Sequence, residues 1–285
     1  MEEETKSKKG KLISLLLIII IIIGAIIYYC KNIATKSLEV IETPITNNDL
    51  PTSFNGFKIV TFADIHYGRT TTDKDIKKIV TKINELNPDV IIFLGDLFDE
   101  DVKITENDVN IIKDNFKKIR SNIKKYSIKG DNDYSNLKYY DTIFKYANFD
   151  ILDNSNDLIY YKGNTPIKVV GTTSLLKSKI DYENAFKSES DDEFFTILLS
   201  HEPNTINEIK DKKVNIMYTA HSLGGLINVP FIGGIMKYKG SDNYIKGFYD
   251  INSTQMFVNS GIGTYKYDYR WFNRPSINLY RLYNN

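Results

Sequence analysis

From residue 57 onward the chain alternates short apolar runs with stretches of helical spacing, and this alternation limits the folds open to it. An apolar run at 57–63 precedes a helical stripe at 74–86, and a second apolar run follows at 90–94. Alternation of strand and helix predicts a largely parallel sheet. Because the second half of the chain carries more strand and less helix, we expect an α/β fold in which two sheets pack face to face with helices outside.

The remaining elements follow the same two periodicities. Helical spacing predicts helices at 108–123 and 137–146, and Pro203 is expected to start another. Strands are expected at 126–129, 150–152, 158–161, 167–170, 194–199, 214–219, 247–251, 255–259 and 277–282. These segments extend the alternation almost to the end of the chain.

An uncharged stretch rich in Leu and Ile, at 12–30, precedes the alternating region. Roughly 19 apolar residues are enough to cross a bilayer. Four lysines stand before it within 6–11 and fewer follow it, which favours a cytoplasmic N-terminus and an outer location for the rest. A cleaved signal peptide and a lipoprotein signal ending at Cys30 are the alternatives. Signal peptides have shorter apolar cores and small residues at the cleavage site, so bulky Tyr28 and Tyr29 favour an uncleaved anchor.

These features divide the chain into four predicted segments: a cytoplasmic tail at 1–11, a transmembrane anchor at 12–30, a polar stalk at 31–52 and one domain at 53–285. The domain is long enough to bury a full core. With 37 basic and 36 acidic residues, and no basic block beyond the membrane flank, the sequence gives no reason to expect a nucleic-acid partner. A single cysteine excludes an internal disulfide, so the domain relies on its core alone.

The chain has only three histidines, His66, His201 and His221, and each closely follows an apolar run. Asp96 stands at a fourth such position, after the run at 90–94. Imidazoles and carboxylates at the carboxyl ends of several strands form a binding crevice in an α/β sheet. One such histidine alone would more often be a hydrogen-bonded or surface residue. Together these side chains form a ligand set suited to Zn, Mn or Fe.

Four motifs occur in a fixed order, each directly after a predicted strand. They are Asp64-x-His66, Gly95-Asp96 with Asp99, Gly130-Asp131-Asn132-Asp133, and His201 followed by His221-Ser222-Leu223-Gly224-Gly225. Over roughly residues 57–282 the series resembles the calcineurin-like metallophosphoesterases. The closing Gly261-Ile262-Gly263-Thr264 and Arg274-Pro275 resemble the membrane-anchored bacterial members of that family, whose substrates belong to the cell envelope.

The resemblance implies a four-layer α/β/β/α sandwich with divalent metal ions (Mn, Fe or Zn), one or two per chain. Carried over motif by motif, the first metal would be held by Asp64, His66 and Asp96, and the second by Asp96, Asp131, His201 and His221. The implied reaction is hydrolysis of a phosphoester or pyrophosphate bond by a metal-activated hydroxide, with Asp96 bridging the metals. The implied substrate is a phosphorylated small molecule or lipid, in particular an envelope lipid or a nucleotide-linked precursor.

Three positions depart from the family's pattern. Asp131 stands where the family has an asparagine ligand, Asn132 where it has a catalytic histidine, and Leu223 where it has a histidine that completes the first metal site. An amide cannot transfer a proton near neutral pH, so we expect Asn132 only to polarise the substrate and the rate to be reduced. Leu223 offers no lone pair, which leaves the first site one ligand short. A shifted loop that made Asn132 itself a metal ligand is an alternative.

Other interpretations stay open on the sequence alone. The chain could be a degenerate, non-catalytic relative that binds one metal and an envelope ligand or partner, or a binding module without metal. Asp99 would either orient a ligand histidine or be a plain loop carboxylate. Asp133 would pair with backbone or with a ligand. The aromatic stretch at 265–272 could contact lipid headgroups or substrate, although a packed C-terminal loop is the simpler expectation.

Overall fold

The computed structural model describes residues 2–188 and 193–285. The described helices are α1 Glu2–Tyr28, α2 Asp73–Glu85, α3 Glu106–Phe116, α4 Leu137–Tyr146 and α5 Tyr182–Phe186. The described strands are β1 Glu39–Thr46, β2 Phe57–Phe62, β3 Val90–Phe93, β4 Lys124–Ser127, β5 Asp150–Ile151, β6 Ser155–Ile159, β7 Ile167–Gly171, β8 Phe195–Leu199, β9 Ile216–Thr219, β10 Asn228–Val229, β11 Gly233–Gly234, β12 Gly247–Ile251, β13 Thr254–Val258 and β14 Ser276–Tyr283.

The strands form two six-stranded sheets, ordered β1-β14-β2-β3-β4-β5 and β12-β13-β9-β8-β7-β6, while β10 and β11 pair apart as a hairpin. In the first sheet β2 to β5 run parallel, and β14 is antiparallel to β2 but parallel to β1. In the second sheet β7, β8, β9 and β13 run parallel, with β6 and β12 as antiparallel edges. Each predicted strand overlaps a strand of these two sheets.

Three buried apolar clusters separate the layers. The first lies between the first sheet and helices α2, α3 and α4, and it includes Ile112 and Phe144. The second fills the space between the sheets, with Ile92 and Tyr218 among its members. The third covers the outer face of the second sheet, where α5 supplies Ala185. The layers are therefore α/β/β/α, as expected, with a thin outer layer on the second sheet.

Two predicted helices are shorter than expected, one predicted from apolar spacing and one from Pro203. Helix α3 ends at Phe116 rather than at 123, and buried Ile119 packs from the turn beyond it. Pro203 starts only a 3₁₀ turn, Pro203–Asn207. Because a turn can also bury an apolar side chain, periodicity overestimates helix length here.

The segment predicted to be a polar stalk, 31–52, contributes a strand to the domain. β1 pairs in parallel with β14 at the edge of the first sheet. Pro44 is tolerated in it because proline is compatible with an edge strand, whose outward N–H has no ladder partner. The carbonyl oxygen of Cys30 accepts from Arg270 N over 3.1 Å, which ties the chain to the domain directly after the predicted anchor. The stalk prediction is corrected: the sheet begins at Glu39.

Helix α1 lies outside both sheets. The stretch Gly10–Lys36 is long and apolar enough to cross a membrane, and the rest of the described chain does not bury its apolar window. Large side chains along it, such as Leu16, Ile20 and Ile23, are more than half exposed. A helix that is apolar on all sides and uncovered is suited to a lipid environment. This N-terminal helix therefore fits the predicted membrane span.

Candidate metal centre

Five strand ends supply the polar side chains of the centre. Asp64 and His66 follow β2, Asp96 follows β3, Asp131 follows β4, His201 follows β8 and His221 follows β9. Their ligand atoms fall into two groups, each with all atoms within 4.8 Å of one another. We call them the three-residue group (Asp64, His66 and Asp96) and the four-residue group (Asp96, Asp131, His201 and His221). The structure thus brings together all six residues named as metal ligands from the sequence, and Asp96 belongs to both groups.

The backbone at these positions is strained. Positive φ angles occur at Asp64 (49°), His66 (44°), Asp96 (59°) and His221 (66°). Residues other than glycine rarely adopt this left-handed conformation. Such strain persists only where the surrounding contacts hold it, and it clusters at functional sites. The strained turns after these strands are therefore typical of a functional site.

Two backbone carbonyls fix the histidines of the four-residue group. His201 Nδ1 lies 2.6 Å from the carbonyl oxygen of Leu94, and His221 Nε2 lies 2.8 Å from that of Lys239. A carbonyl oxygen only accepts, so these two nitrogens donate. In the neutral rings the lone pairs are therefore on His201 Nε2 and His221 Nδ1. Metal-binding histidines typically have their second nitrogen held by an acceptor in this way.

The two lone-pair nitrogens face carboxylates. His201 Nε2 is 3.3 Å from Asp96 Oδ2 and 3.5 Å from Asp131 Oδ1, and His221 Nδ1 is 3.1 Å from Asp131 Oδ1. Burial alone would lower the pKa of His201, but Asp96 and Asp131 outweigh it and raise that pKa well above its usual range. Burial would raise the pKa of Asp131, yet His201 and His221 hold it below its usual range. The pocket therefore attracts positive charge.

Buried polar atoms without a hydrogen-bond partner cluster in the centre. Within the described residues they include Asp64 Oδ2, Asp131 Oδ1, Asn132 Oδ1, His201 Nε2 and His221 Nδ1. An unpaired buried polar atom costs ~1–3 kcal/mol. Burial also raises the pKa of Asp64 to about 6. Divalent cations would satisfy these lone pairs, and this mixture of nitrogen and oxygen donors suits Zn, Mn or Fe. The residues therefore fit the metals that the sequence predicts.

The three-residue group is built around His66. Its Nε2 lies 3.6 Å from Asp96 Oδ2, and its Nδ1 lies 3.5 Å from Asp99 Oδ2. Burial would raise the pKa of Asp99, but His66 and Arg69, whose Nε donates over 2.7 Å, hold it at about 2. Tyr265 stacks on the His66 ring with the centroids 5.4 Å apart. Asp99 is therefore an ionised carboxylate beside the ring of His66, although His66 Nδ1 makes no hydrogen bond to any described residue.

Leu223 lies beside the three-residue group. It is buried and has a φ of 52°. A Cβ placed on Gly261 would lie 2.6 Å from Asp64 Oδ2 and 3.0 Å from Leu223 Cδ2, so carboxylate and leucine converge on the same glycine. An apolar side chain thus stands next to a ligand carboxylate, at the position where the family resemblance places a histidine.

The loop after β4 holds Asp96 from two sides. Asn132 N donates to Asp96 Oδ1 over 2.9 Å, and Asn132 Nδ2 donates to Asp96 Oδ2 over 2.6 Å. Asp133 accepts from the backbone N–H groups of Asp96, Leu97 and Gly130, each over 2.9 Å. A Cβ on Gly130 would lie 2.1 Å from Asp96 Oδ1, so this approach requires glycine. Asp133 therefore pairs with backbone, and Asn132 uses its amide donor to orient Asp96.

Two arginines that no motif singles out are tied to the centre. Arg69 holds the carboxylate behind His66. Arg270 is fully buried and donates to the carbonyl oxygens of Ser260 and Gly263 over 2.7–3.0 Å, while Gly263 N donates to Asp64 O over 2.6 Å. Burial lowers the pKa of Arg270 to about 10. Arginine is rare in this lysine-rich chain, and this rarity is the sequence feature that could have drawn attention to Arg69 and Arg270.

The fold and the two ligand groups define a metallophosphoesterase. Residues 57–225 match the calcineurin-like phosphoesterase family, and the chain belongs to that family. The resemblance stated from the four motifs is therefore confirmed.

Three known proteins illustrate the relationship. The chain is 29% identical over 256 residues to the uncharacterized metallophosphoesterase YkuE of Bacillus subtilis, covering 89% of this chain and 88% of that protein. It is 24% identical over 288 residues to the UDP-2,3-diacylglucosamine pyrophosphatase LpxG of Chlamydia muridarum, covering 81% and 86%. It is 24% identical over 259 residues to a transmembrane protein with metallophosphoesterase domain of Danio rerio, covering 86% of this chain but 57% of that protein.

Proposed function

We propose that this protein is a membrane-anchored hydrolase that cleaves a phosphoester or pyrophosphate bond with divalent metals. The observation that carries the proposal is the pair of ligand groups that share Asp96 at the carboxyl ends of the strands. In the proposed topology the N-terminus is cytoplasmic and the domain at 53–285, extended by β1, lies on the outer side of the cell membrane. The lysines before the apolar helix support this orientation.

The residues of the centre would have separate roles in binding the cations and in positioning the ligand side chains. Divalent cations would supply Lewis-acid polarisation of the phosphoryl group and activation of water. The four-residue group and the three-residue group would hold them, with Asp96 shared and kept in place by Asn132 and Asp133. The carbonyls behind His201 and His221 keep both rings in the tautomer that binds a cation.

We further propose that turnover is reduced. The amide of Asn132 cannot take or give a proton near neutral pH, and loss of acid–base assistance typically costs ~10²–10⁴ in rate. Leu223 leaves the three-residue group without the imidazole that completes it in the family pattern. The three-residue group would therefore bind its metal more weakly than the four-residue group.

The substrate class follows from chemistry and from the relatives. A membrane helix brings the domain close to phosphorylated lipids and nucleotide-linked envelope precursors. LpxG, by its name, is a pyrophosphatase whose substrate joins a nucleotide to a diacylated sugar. We propose that this protein acts on a phosphorylated envelope lipid or precursor of that chemical type, on a phosphoester or a pyrophosphate bond.

The test uses the full-length protein in detergent micelles, stripped of metal and reloaded with Mn²⁺. We expect metal-dependent cleavage of bis-p-nitrophenyl phosphate and of a nucleotide-linked lipid pyrophosphate. Asp96→Asn should bring the rate down to that of the metal-free protein, because Asp96 belongs to both groups. Asp114→Asn, which removes an exposed carboxylate from α3, is the matched control and should leave the rate unchanged.

A second candidate is favoured by one observation, the leucine beside the Asp64 carboxylate. In that case the protein is a non-catalytic relative that binds one metal in the four-residue group together with an envelope ligand or partner. One tightly bound metal per chain, with no turnover of either substrate at any Mn²⁺ concentration, would establish this candidate and exclude the hydrolase.

A further inference from the structure

Large apolar side chains are exposed at one end of the domain. Phe231 is 109% and Ile232 is 75% exposed at the tip of the β10–β11 hairpin, and Phe272 is 61% exposed in a neighbouring loop. Among the described residues outside α1, these are the three most exposed large apolar side chains. We call them the apolar tip. A concentration of such side chains in one place marks an interaction surface, whereas single ones are ordinary.

The two segments of the apolar tip are joined to each other and to the membrane helix. Asn228 N donates to the carbonyl oxygen of Trp271 over 2.9 Å, which places the hairpin beside the loop that carries Phe272. Arg270 N donates to the carbonyl oxygen of Cys30. A cavity of about 500 Å³ lies between the end of the apolar helix and this loop, lined by Ile26, Ile27, Cys30, Ile227, Tyr267 and Trp271. The segments that carry the apolar tip are thus connected to the end of the membrane span through Ile227, Arg270 and Trp271.

The hairpin that carries Phe231 and Ile232 is followed by positive charge. Lys237 and Lys239 are the only charged residues at 227–239, and both are exposed. In the neighbouring loop, Asp268 shares Arg69 with Asp99 and Asp101, and Lys266 is exposed beside the cavity. Apolar and aromatic side chains flanked by lysines are typical of segments that lie in the interface of an anionic membrane.

This end of the domain is also the end that holds the metal centre. Arg270, bound to Cys30 through its backbone, donates from its side chain to Gly263 O, and Gly263 N donates to Asp64 O. Tyr265, in the same loop, stacks on His66. One buried arginine therefore separates the exit of the membrane helix from the ligand loop of the three-residue group.

We propose that the apolar tip inserts into the interface of the membrane that α1 crosses, so that the metal-centre end of the domain rests on the lipid surface. The domain then has a second membrane contact in addition to its helix. A consequence, which rests on the proposed function, is that the reacting phosphate lies in the headgroup layer and the substrate stays in the membrane during cleavage.

The test measures depth in the bilayer and needs no activity. Full-length protein carrying Cys30→Ser and Phe231→Cys is spin-labelled and placed in nanodiscs of phosphatidylcholine and phosphatidylglycerol. Accessibility of the label to oxygen and to a water-soluble nickel chelate is then compared. The control carries Cys30→Ser and Tyr160→Cys. Tyr160 is a 56% exposed aromatic after β6, which runs antiparallel to β7, so it lies at the pole away from the ligand loops.

We expect the label at 231 to be accessible to oxygen and shielded from nickel, and the label at 160 to show the reverse. A label at 231 that is as accessible to nickel as the label at 160 would overturn the proposal. So would shielding from both reagents together with spin–spin broadening, because a second copy of the chain would then cover the apolar tip.

A second measurement separates this proposal from the proposed function. Phe231→Ser with Ile232→Ser should lower hydrolysis of a lipid pyrophosphate in vesicles several-fold and leave hydrolysis of bis-p-nitrophenyl phosphate unchanged, while Tyr160→Ser changes neither. Equal loss on both substrates would contradict a membrane role. If the parent protein hydrolyses neither substrate, the proposed function fails, and the depth of the label still decides the membrane contact.

Discussion

The four-residue group and the three-residue group share Asp96 and the same end of the two sheets, yet they differ in how completely they surround a cation. The four-residue group has two imidazoles, each turned by a backbone carbonyl so that its lone pair faces the carboxylates. The three-residue group has one imidazole, with Leu223 beside its carboxylate Asp64. The fold therefore brings together two candidate ligand groups, and we expect Leu223, after β9, to weaken metal coordination by the three-residue group.

The two groups differ in the number of protein ligands that they can offer to one cation. A transition metal in a protein is typically held by at least three protein ligands, and a closed site has four. The four-residue group supplies four protein ligands, so it can close a site without water. The three-residue group supplies only three, even if Asp96 is counted in both groups. We therefore expect unequal metal affinities, and four predictions test this difference.

The largest effect should come from restoring both missing histidines. The double variant Asn132→His and Leu223→His would add acid–base assistance and a fourth ligand, and we expect turnover of bis-p-nitrophenyl phosphate to rise ~10²–10⁴-fold. An imidazole N–H can replace the amide donor that now orients Asp96. Each single variant should give a smaller gain. If both metals bind and the rate does not rise, the roles carried over from the family are misplaced.

The next effect should come from removing one imidazole from each group. His201→Ala should weaken the tighter metal by more than ~100-fold, beyond the range typical for loss of an outer partner. His66→Ala is the matched variant and should leave the tighter metal in place. Thermal melts with Mn²⁺ give a second readout, since a ligand at a hundredfold excess over its Kd stabilises the folded state by about 2.7 kcal/mol. Equal losses of this stabilisation in both variants would abolish the distinction between the groups.

A smaller effect should follow from Asp99→Asn. Because Asp99 stands behind His66, its loss should weaken metal binding in the three-residue group by ~10–100-fold and spare the four-residue group. Asp101→Asn is the control, since Asp101 also binds Arg69, over 2.8 Å, and is itself well exposed. Metal titration of both variants separates an orienting role from loss of an arginine contact. Identical titrations for the two would mean that Asp99 does not orient the ring.

The smallest effect should come from Asp131→Asn, which restores the family's amide. One negative charge fewer should weaken metal binding in the four-residue group by less than about tenfold, equivalent to ~1.4 kcal/mol. The same change should strengthen inhibition by inorganic phosphate, because less negative charge faces the anion. Inhibition constants measured at saturating Mn²⁺ check this. Weaker inhibition in the variant would mean that Asp131 does not face the bound phosphate.

The convergence of the six candidate ligands could be predicted because each of them closely follows an apolar run in the sequence. A buried strand is an apolar run, and a ligand directly after such a run must lie at the edge of the sheet. The same argument placed Asp64, Asp96 and His201. The partners that fix the two tautomers could not be predicted in this way, because they are backbone carbonyls of Leu94 and Lys239, and any residue carries a carbonyl.

Long-range pairing limited the rest of the prediction. β1 carries Pro44 and is polar on one side, so its sequence alone predicts a linker. Its strand character depends on pairing with β14, which is distant in the sequence. Asp133 carries a metal-binding type of side chain, yet its partners are N–H groups of the loop after β3 and of Gly130. The exposure of Phe231 could not be predicted either, because an apolar sequence is compatible with a buried or an exposed side chain, and only the packing decides between them.

Titration of metal-free, full-length protein with Mn²⁺ by calorimetry tests the inequality of the two groups most directly. We predict two separate binding events, one tight and one weak, and Leu223→His should tighten only the weak event. Two events of equal affinity would contradict the account, as would a Leu223→His variant in which the tight event is the one that changes.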